Sequence, residues 1–98
     1  MESSEDEAAP ECLAKIWVRG RVQGVGFRYS TLKTAESLHL KGYVKNLADN
    51  SVFIVAQGKA EDVETLIEWC RAGPPRSAVE SVEHTIHPTE GFINFRIQ

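Results

Sequence analysis

The stretch LAKIWVRGRVQGVGFRYSTLKTAESLHL, residues 13–40, contains a strand pattern, a glycine-rich connection and a helix pattern in direct succession. Within residues 13–20, apolar side chains alternate with charged or amphipathic ones, which is the two-residue period of a half-buried strand. From Phe27 to about Leu40 the apolar residues recur at helical spacing, and Gly42 follows where a glycine favours a helix end. The segment therefore predicts a strand, a glycine loop and a helix.

The rest of the chain predicts one more helix and several short strands. Apolar residues at helical spacing between residues 61 and 72 predict an amphipathic helix, which Gly73-Pro74-Pro75 ends. Strand patterns occupy YVKNL (43–47), SVFIVAQG (51–58), residues 81–87 and FINFRIQ (92–98), with a hairpin through residues 48–50 and a turn at 88–91. Two helices are too few to cover both faces of such a sheet. We therefore expect an α+β fold: a ferredoxin-like βαββαβ sandwich, with a mostly antiparallel sheet of four to five strands and both helices on one face.

Composition and charge indicate one domain preceded by an acidic segment. The chain has 98 residues, enough for a single core. Its net charge is −3, and residues 1–11 contain five acidic residues and no basic one. We expect residues 1–12 to be a disordered tail and residues 13–98 to form the domain. Neither a secretory signal nor a membrane span is evident, which favours the cytoplasm. Cys12 and Cys70 are far apart and are expected to be free thiols.

The connection GRVQGVGFR, Gly20–Arg28, has the composition of an anion-binding loop. It contains three glycines, two arginines and no acid, and residues 12–59 around it hold eight basic and two acidic residues. Glycine permits the positive φ angles that turn successive amides inward, and a following helix adds free amides and the positive end of its dipole. The loop fits neither the ATPase loop nor the GxGxxG dinucleotide loop. A phosphate group is the ligand that this pattern favours, with Arg28 as a planar pair of donors.

Asn46 is the polar residue that the predicted fold brings to this loop. A βαβ crossover keeps its two strands parallel, so the first two strands end at the same edge of the sheet. If another strand lies between them, their ends are separated by roughly 10 Å, or two strand spacings. A small anion bound by the loop is then within reach of Asn46, at the end of the second strand.

Two motifs, GRVQGVGFR (20–28) and GYVKN (42–46), together resemble the two signatures of the acylphosphatases. The resemblance extends from about Leu13 to Gln98 and includes the strand order and GPPRSAV (73–79). It implies a hydrolase that cleaves the carboxyl–phosphate bond of a small acyl phosphate to give a carboxylate and inorganic phosphate. The resemblance also implies that the reaction needs no metal ion, no cofactor and no covalent intermediate.

The same resemblance assigns roles to individual residues. Arg28 matches the family's essential arginine, which holds the phosphoryl group, and Asn46 matches its essential asparagine, which orients the attacking water. The other phosphate-binding residues belong to the loop: Gln23, Gly24, Val25, Gly26 and Phe27. We further expect competitive inhibition by the product, inorganic phosphate, and a monomeric protein.

The chemistry of an acyl phosphate suits these residue types. Its leaving group is a carboxylate whose conjugate acid has a pKa of about 4, so its departure needs little general-acid help. The amide of Asn46 accepts a hydrogen bond from water but is not a useful base, so we expect the proton to go to the substrate's phosphoryl oxygens. One position departs from the family pattern, because Asn50 stands where glycine is usual. Asparagine tolerates left-handed geometry, so we expect a small cost to the turn and none to the chemistry.

Other interpretations lead to different functions. RNA-recognition motifs share the order of helices and strands. This sequence matches their aromatic signature only as far as Tyr43, on the second strand, whereas the signature belongs on the third. We therefore expect no nucleic-acid partner. A noncatalytic domain could keep the loop as an anion sensor, and the positive charge around it could be solvated surface. His84 and His87 lie three positions apart on a strand and face opposite sides, so we expect no metal site there.

Overall fold

A computed structural model describes residues 10–98, which form one five-stranded sheet and two helices. The strands are β1 (Glu11–Arg21), β2 (Lys41–Asn46), β3 (Val52–Lys59), β4 (Ala78–His87) and β5 (Phe95–Ile97), and the helices are α1 (Phe27–Ser37) and α2 (Ala60–Ala72). Residues 1–9, on which most of the predicted disordered tail falls, lie outside the described residues. No helix among residues 10–98 is long and apolar enough to cross a membrane.

The strands lie in the order β4-β1-β3-β2-β5. β1 pairs antiparallel with β3 and with β4, β2 pairs antiparallel with β3, and β2 pairs parallel with β5. The predicted ferredoxin-like α+β fold, with its mostly antiparallel sheet, is confirmed. Because β1 and β2 are both antiparallel to the strand between them, they run in the same direction and end at the same edge of the sheet, as predicted.

The core lies between the helices and the one face of the sheet that they cover. Alternate residues of β1, namely Ala14, Ile16 and Val18, are completely buried and join apolar residues of both helices in one cluster. The helical members are Phe27 and Ala35 of α1 and Val63, Leu66, Ile67 and Cys70 of α2. Burial of each large apolar side chain contributes roughly 1.5–3 kcal/mol. The core therefore holds β1 and α1 in place at the two ends of the glycine loop.

Helix α1 ends earlier than predicted, and a histidine ends it. His39, two residues past the helix, takes the left-handed conformation with φ 60°, and the amide of Leu40 donates to the Ala35 oxygen at 2.9 Å. These are the features of a Schellman motif, in which glycine is usual at this position. The prediction that Gly42 ends the helix was wrong. Gly42 lies in β2, where a Cβ would collide with the carbonyl group of Val55 on β3.

Strand boundaries also differ from the predictions. β1 begins at Glu11 and not at Leu13, because Glu11 still pairs with Lys59 of β3. β4 begins earlier than predicted, because it pairs with β1 along its whole length. β5 is shorter than predicted: Ile93 lies outside it and is 83% exposed, so strand pairing begins at Phe95.

The cysteines lie in β1 and α2, and His84 and His87 lie in β4. Cys12 and Cys70 are free thiols, as predicted. Burial raises the pKa of Cys70 to about 12, so its thiol stays protonated and packs as a small apolar group. His84 and His87 lie on opposite faces of β4, as expected. Among residues 10–98, no three His, Cys, Asp or Glu side chains are close enough together to hold a metal ion.

Candidate active site

The loop between β1 and α1 contains two left-handed glycines, a conformation that an anion-binding nest requires. Gly24 and Gly26 have φ angles of 76° and 83°, and no atom lies within 4 Å of a Cβ built at either position. The backbone conformation, and not a lack of space, therefore requires glycine at both positions. Left-handed residues that alternate with right-handed ones turn successive amides toward one point, where phosphate or sulfate can bind.

Gly20, the first glycine of the motif, has a different role. It lies in β1 where the pairing with β4 shifts between Arg19 and Gly20. Its φ is 126°, and a Cβ would collide with the backbone of Ala78 and Glu80 on β4. This glycine therefore allows the strand bulge that precedes the loop.

Helix α1 begins where the loop ends. Gly26 is its N-cap and Arg28 its second residue, and its first turn contains no acidic residue and no side-chain cap. The free amides of the first turn and the positive end of the helix dipole therefore lie at the loop. Nη1 of Arg28 donates to the main-chain oxygen of Gln98 at 2.9 Å, and this bond orients the guanidinium group.

The side chain of Gln23 joins the loop to the turn that follows β2. Its Nε2 donates to the main-chain oxygen of Leu47 at 2.9 Å and to that of Ser51 at 2.8 Å. Leu47 directly follows Asn46, and Ser51 directly precedes β3. The Gln23 side chain therefore sets the position of the loop relative to Asn46, and its two donor bonds go to protein.

The turn between β2 and β3 has its own hydrogen bonds. The amide of Leu47 donates to the Ser51 oxygen at 2.9 Å, and the amide of Asn50 donates to the Leu47 oxygen at 3.2 Å. Asn50 has a φ of 74°, which is the left-handed conformation expected at this position. Asp49 accepts hydrogen bonds from the hydroxyl and the amide of Ser51, and these lower the pKa of its carboxyl group. The turn thus holds the end of β2 in one conformation.

The loop, the start of α1 and the end of β2 surround one cavity of about 210 Å³. The lining residues are Val22, Gly24, Gly26, Phe27, Arg28, Tyr29, Asn46 and Ile97. None of them is acidic, so the lining carries no charge that repels an anion. Arg28 supplies the positive charge.

Most of the predicted site residues meet in this cavity. They are Gly24, Gly26, Phe27, Arg28 and Asn46. Gln23 and Val25 do not line it, because the Gln23 side chain bonds to the turn and Val25 packs against the core. Arg21, the other arginine of the motif, is exposed and also lies outside the lining.

Three lining residues were not predicted from the sequence: Val22, Tyr29 and Ile97. Val22 and Tyr29 are next to predicted residues in the chain, and this proximity could have indicated them. Ile97 reaches the cavity through the parallel pairing of β5 with β2, in which it lies opposite Val44. No local pattern in the sequence specifies that register.

A larger groove, of about 720 Å³, lies at the other end of β1 between α2 and β4. Cys12, Lys59, Glu61, Glu64 and His84 are among the residues that line it. This groove has no glycine loop, and its acidic side chains do not favour an anion. The smaller cavity is therefore the candidate active site.

Comparison with known proteins points to one family. A family model described as acylphosphatase matches residues 14–97. The acylphosphatase of Nostoc sp. is 46% identical over 85 residues, which cover 87% of this chain and 84% of the relative. That of Synechococcus sp. is 43% identical over 83 residues, which cover 85% of this chain and 88% of the relative.

Solved structures give the same result. An acylphosphatase from Coxiella burnetii has a TM-score of 0.87 and 41% identity, and the match covers 90% of this chain and 93% of that one. An acylphosphatase from Bacillus subtilis has a TM-score of 0.86 and 38% identity, and the match covers 89% of this chain and 98% of that one.

Proposed function

The chain belongs to the acylphosphatase family and is a hydrolase of acyl phosphates, and we propose that the cavity between the loop and β2 is its active site. In this proposal Arg28 and the loop amides bind the phosphoryl group, and Asn46 orients the water that attacks it. The observation that carries the proposal is that Arg28 and Asn46, which come from different elements, line one cavity together with Gly24 and Gly26.

Three groups of donors would bind the phosphoryl oxygens. The loop around Gly24 and Gly26 provides inward amides, the start of α1 provides free amides and a positive dipole end, and Arg28 provides a planar pair of charged donors. These donors are held in place before the substrate arrives. They therefore stabilise the charge that develops on the phosphoryl oxygens in the transition state with little reorganisation.

Asn46 would orient the nucleophile. Its side-chain oxygen accepts a hydrogen bond from water, so this residue can hold the water against the phosphorus atom. The amide cannot take the proton, which passes to a phosphoryl oxygen. Water forms the new P–O bond, the bond between phosphorus and the acyl oxygen breaks, and the carboxylate leaves with that electron pair. The conjugate acid of this carboxylate has a low pKa, so the enzyme does not need to protonate the leaving group.

We propose that this reaction needs no metal ion, since the carboxylate is already a good leaving group and Arg28 supplies the charge. The lining residues include no carboxylate, histidine or thiol, the usual metal ligands. Competitive inhibition by inorganic phosphate follows from the same donors, because the product keeps the group that they bind. The monomeric state and the cytoplasmic location stay predictions.

Turnover of acetyl phosphate in excess EDTA tests the proposal. We expect activity in the unmodified protein and a loss of kcat/KM of roughly 100-fold to 1,000-fold in Arg28→Ala and in Asn46→Ala. Arg21→Ala is the matched control for Arg28, because Arg21 belongs to the same motif but does not line the cavity. Full activity in either Arg28→Ala or Asn46→Ala would contradict the assignment. Phosphate binding without any turnover would favour an anion sensor.

A further inference from the structure

Two exposed apolar side chains border the proposed active site. Tyr29 is 60% exposed and Ile97 is 40% exposed, and both line the cavity that contains Arg28. In the part of the chain that the structure describes, the other strongly exposed large apolar residues are Ile86 and Ile93, which lie elsewhere. Apolar side chains that converge on a polar cavity indicate contact with an apolar part of a ligand.

We propose that Tyr29 and Ile97 form an apolar rim that binds the acyl group, so that the enzyme prefers acyl phosphates with an aromatic or bulky apolar acyl group over acetyl phosphate. This inference rests on the proposed function. The donors that bind the phosphoryl group do not discriminate between acyl groups. The apolar rim would add this selectivity.

The lining of the cavity supports this division. Arg28 and Asn46 provide polar side chains, and Tyr29 and Ile97 provide apolar side chains that are partly exposed. An acyl group attached to a phosphoryl group on Arg28 therefore meets apolar lining.

The rim is connected to the phosphate-binding side chain. Tyr29 follows Arg28 in α1, and Ile97 precedes Gln98, whose main-chain oxygen accepts the bond from Nη1 of Arg28 at 2.9 Å. The guanidinium thus holds the end of β5 beside the start of α1. A phosphoryl group on Arg28 therefore places the attached acyl group next to both rim residues.

Chemically, the Tyr29 ring suits an aromatic acyl group. Aromatic rings attract each other in offset or edge-to-face arrangements beyond the simple burial of area. The Lys33 ammonium, one turn along the helix, lies 5.9 Å from the centroid of this ring, within the range of a cation–π contact.

The test is the ratio of kcat/KM for benzoyl phosphate to that for acetyl phosphate. The two substrates differ in intrinsic reactivity, but this difference is the same for every variant. A change in the ratio between variants therefore reports a change in how the enzyme contacts the acyl group. In Tyr29→Ala and in Ile97→Ala we expect the ratio to fall roughly threefold to tenfold, as for a lost apolar contact. Tyr29→Phe keeps the ring and should keep the ratio. Ile93→Ala is the matched control for Ile97, because Ile93 is exposed away from the cavity.

An unchanged ratio in both Tyr29→Ala and Ile97→Ala would overturn the proposal. Acetyl phosphate turnover and its loss in Arg28→Ala would then still support the proposed function, so the two failures are distinguishable. Thermal unfolding of each variant checks its fold. If Ile97→Ala unfolds, Ile97→Thr is used instead, because threonine keeps the β-branched shape of the strand residue. We expect the same fall in the ratio of benzoyl phosphate to acetyl phosphate turnover.

Discussion

The side-chain amide of Gln23 donates a hydrogen bond to the main-chain oxygen of Leu47 at 2.9 Å. Leu47 is the residue after Asn46, and a second bond from the same nitrogen reaches Ser51 at 2.8 Å. One side chain thus joins the proposed phosphate-binding loop to the turn that carries the proposed water-orienting residue. Because a misplacement of about 1 Å can cost roughly 100-fold in rate, this connection has consequences for catalysis.

Gln23→Ala is therefore expected to lower kcat roughly 10-fold to 100-fold, because Asn46 and the phosphoryl group no longer keep a fixed separation. KM should change much less, since Arg28 and the loop amides remain. The measurement is steady-state kinetics with acetyl phosphate, together with thermal unfolding. An unchanged kcat, or a loss of activity that only follows the loss of folded protein, would show that Gln23 has no positioning role.

Asn50→Gly is expected to increase the free energy of unfolding by about 0.5–1 kcal/mol, because Asn50 has a φ of 74° that glycine adopts without strain. His39→Gly, at the end of α1 with φ 60°, should give a gain of similar size. Urea denaturation measures both. Neither variant should change kcat, and a lower stability of Asn50→Gly would contradict the account of this turn.

Local patterns in the sequence predicted the order of the elements and the nest. Gly24, Gly26 and Arg28 lie within a few residues of each other, so the composition of this short stretch was sufficient to predict an anion-binding loop. Asn46 needed one additional argument, the parallel direction of the first two strands. In each case the relevant geometry was specified by neighbours in sequence or by the parallel strands that a βαβ crossover connects.

The features that were missed depend on distant contacts. Gln23 was predicted as a phosphate-binding residue, but its bonds to Leu47 and Ser51 were not predicted, because no periodicity relates these residues to it. Ile97 depends on the register of β5 with β2. Gly42 was misassigned for the same reason, since glycine is required there by a φ of 138° and by the backbone of Val55 on β3, which lies against it.

The stability of the turn is expected to depend on pH through Asp49. Hydrogen bonds from the hydroxyl and the amide of Ser51 lower the pKa of this carboxyl group below its ordinary value of 3.8. The stabilisation is therefore complete above that value and is lost as the pH falls through the lower pKa of the folded state. Asp49→Asn should be less stable than the unmodified protein at pH 7, and the difference should shrink below about pH 4. Urea denaturation from pH 7 to pH 2 measures this, and a difference that stays constant would contradict it.

Gly24→Ala is expected to lower the free energy of unfolding by about 1–2 kcal/mol, because alanine is strained at a φ of 76° although the space is free. Phosphate binding should weaken as well, since the amides of the nest lose their orientation. Gly91→Ala is the matched control, because Gly91 also has free space around its Cβ position but no positive φ. Equal effects of the two substitutions would show that the left-handed conformation of the loop is not required.

Calorimetric titration with inorganic phosphate distinguishes the proposed roles of Arg28, which binds the phosphoryl group, and Asn46, which acts on water. Arg28→Ala should raise the Kd for phosphate about 100-fold, as expected for the loss of two charge-assisted hydrogen bonds. Asn46→Ala should leave this Kd within about threefold of the unmodified value, although its turnover of acetyl phosphate is lost. Normal phosphate binding by Arg28→Ala, or a loss of phosphate affinity in Asn46→Ala as large as that in Arg28→Ala, would rule out these roles.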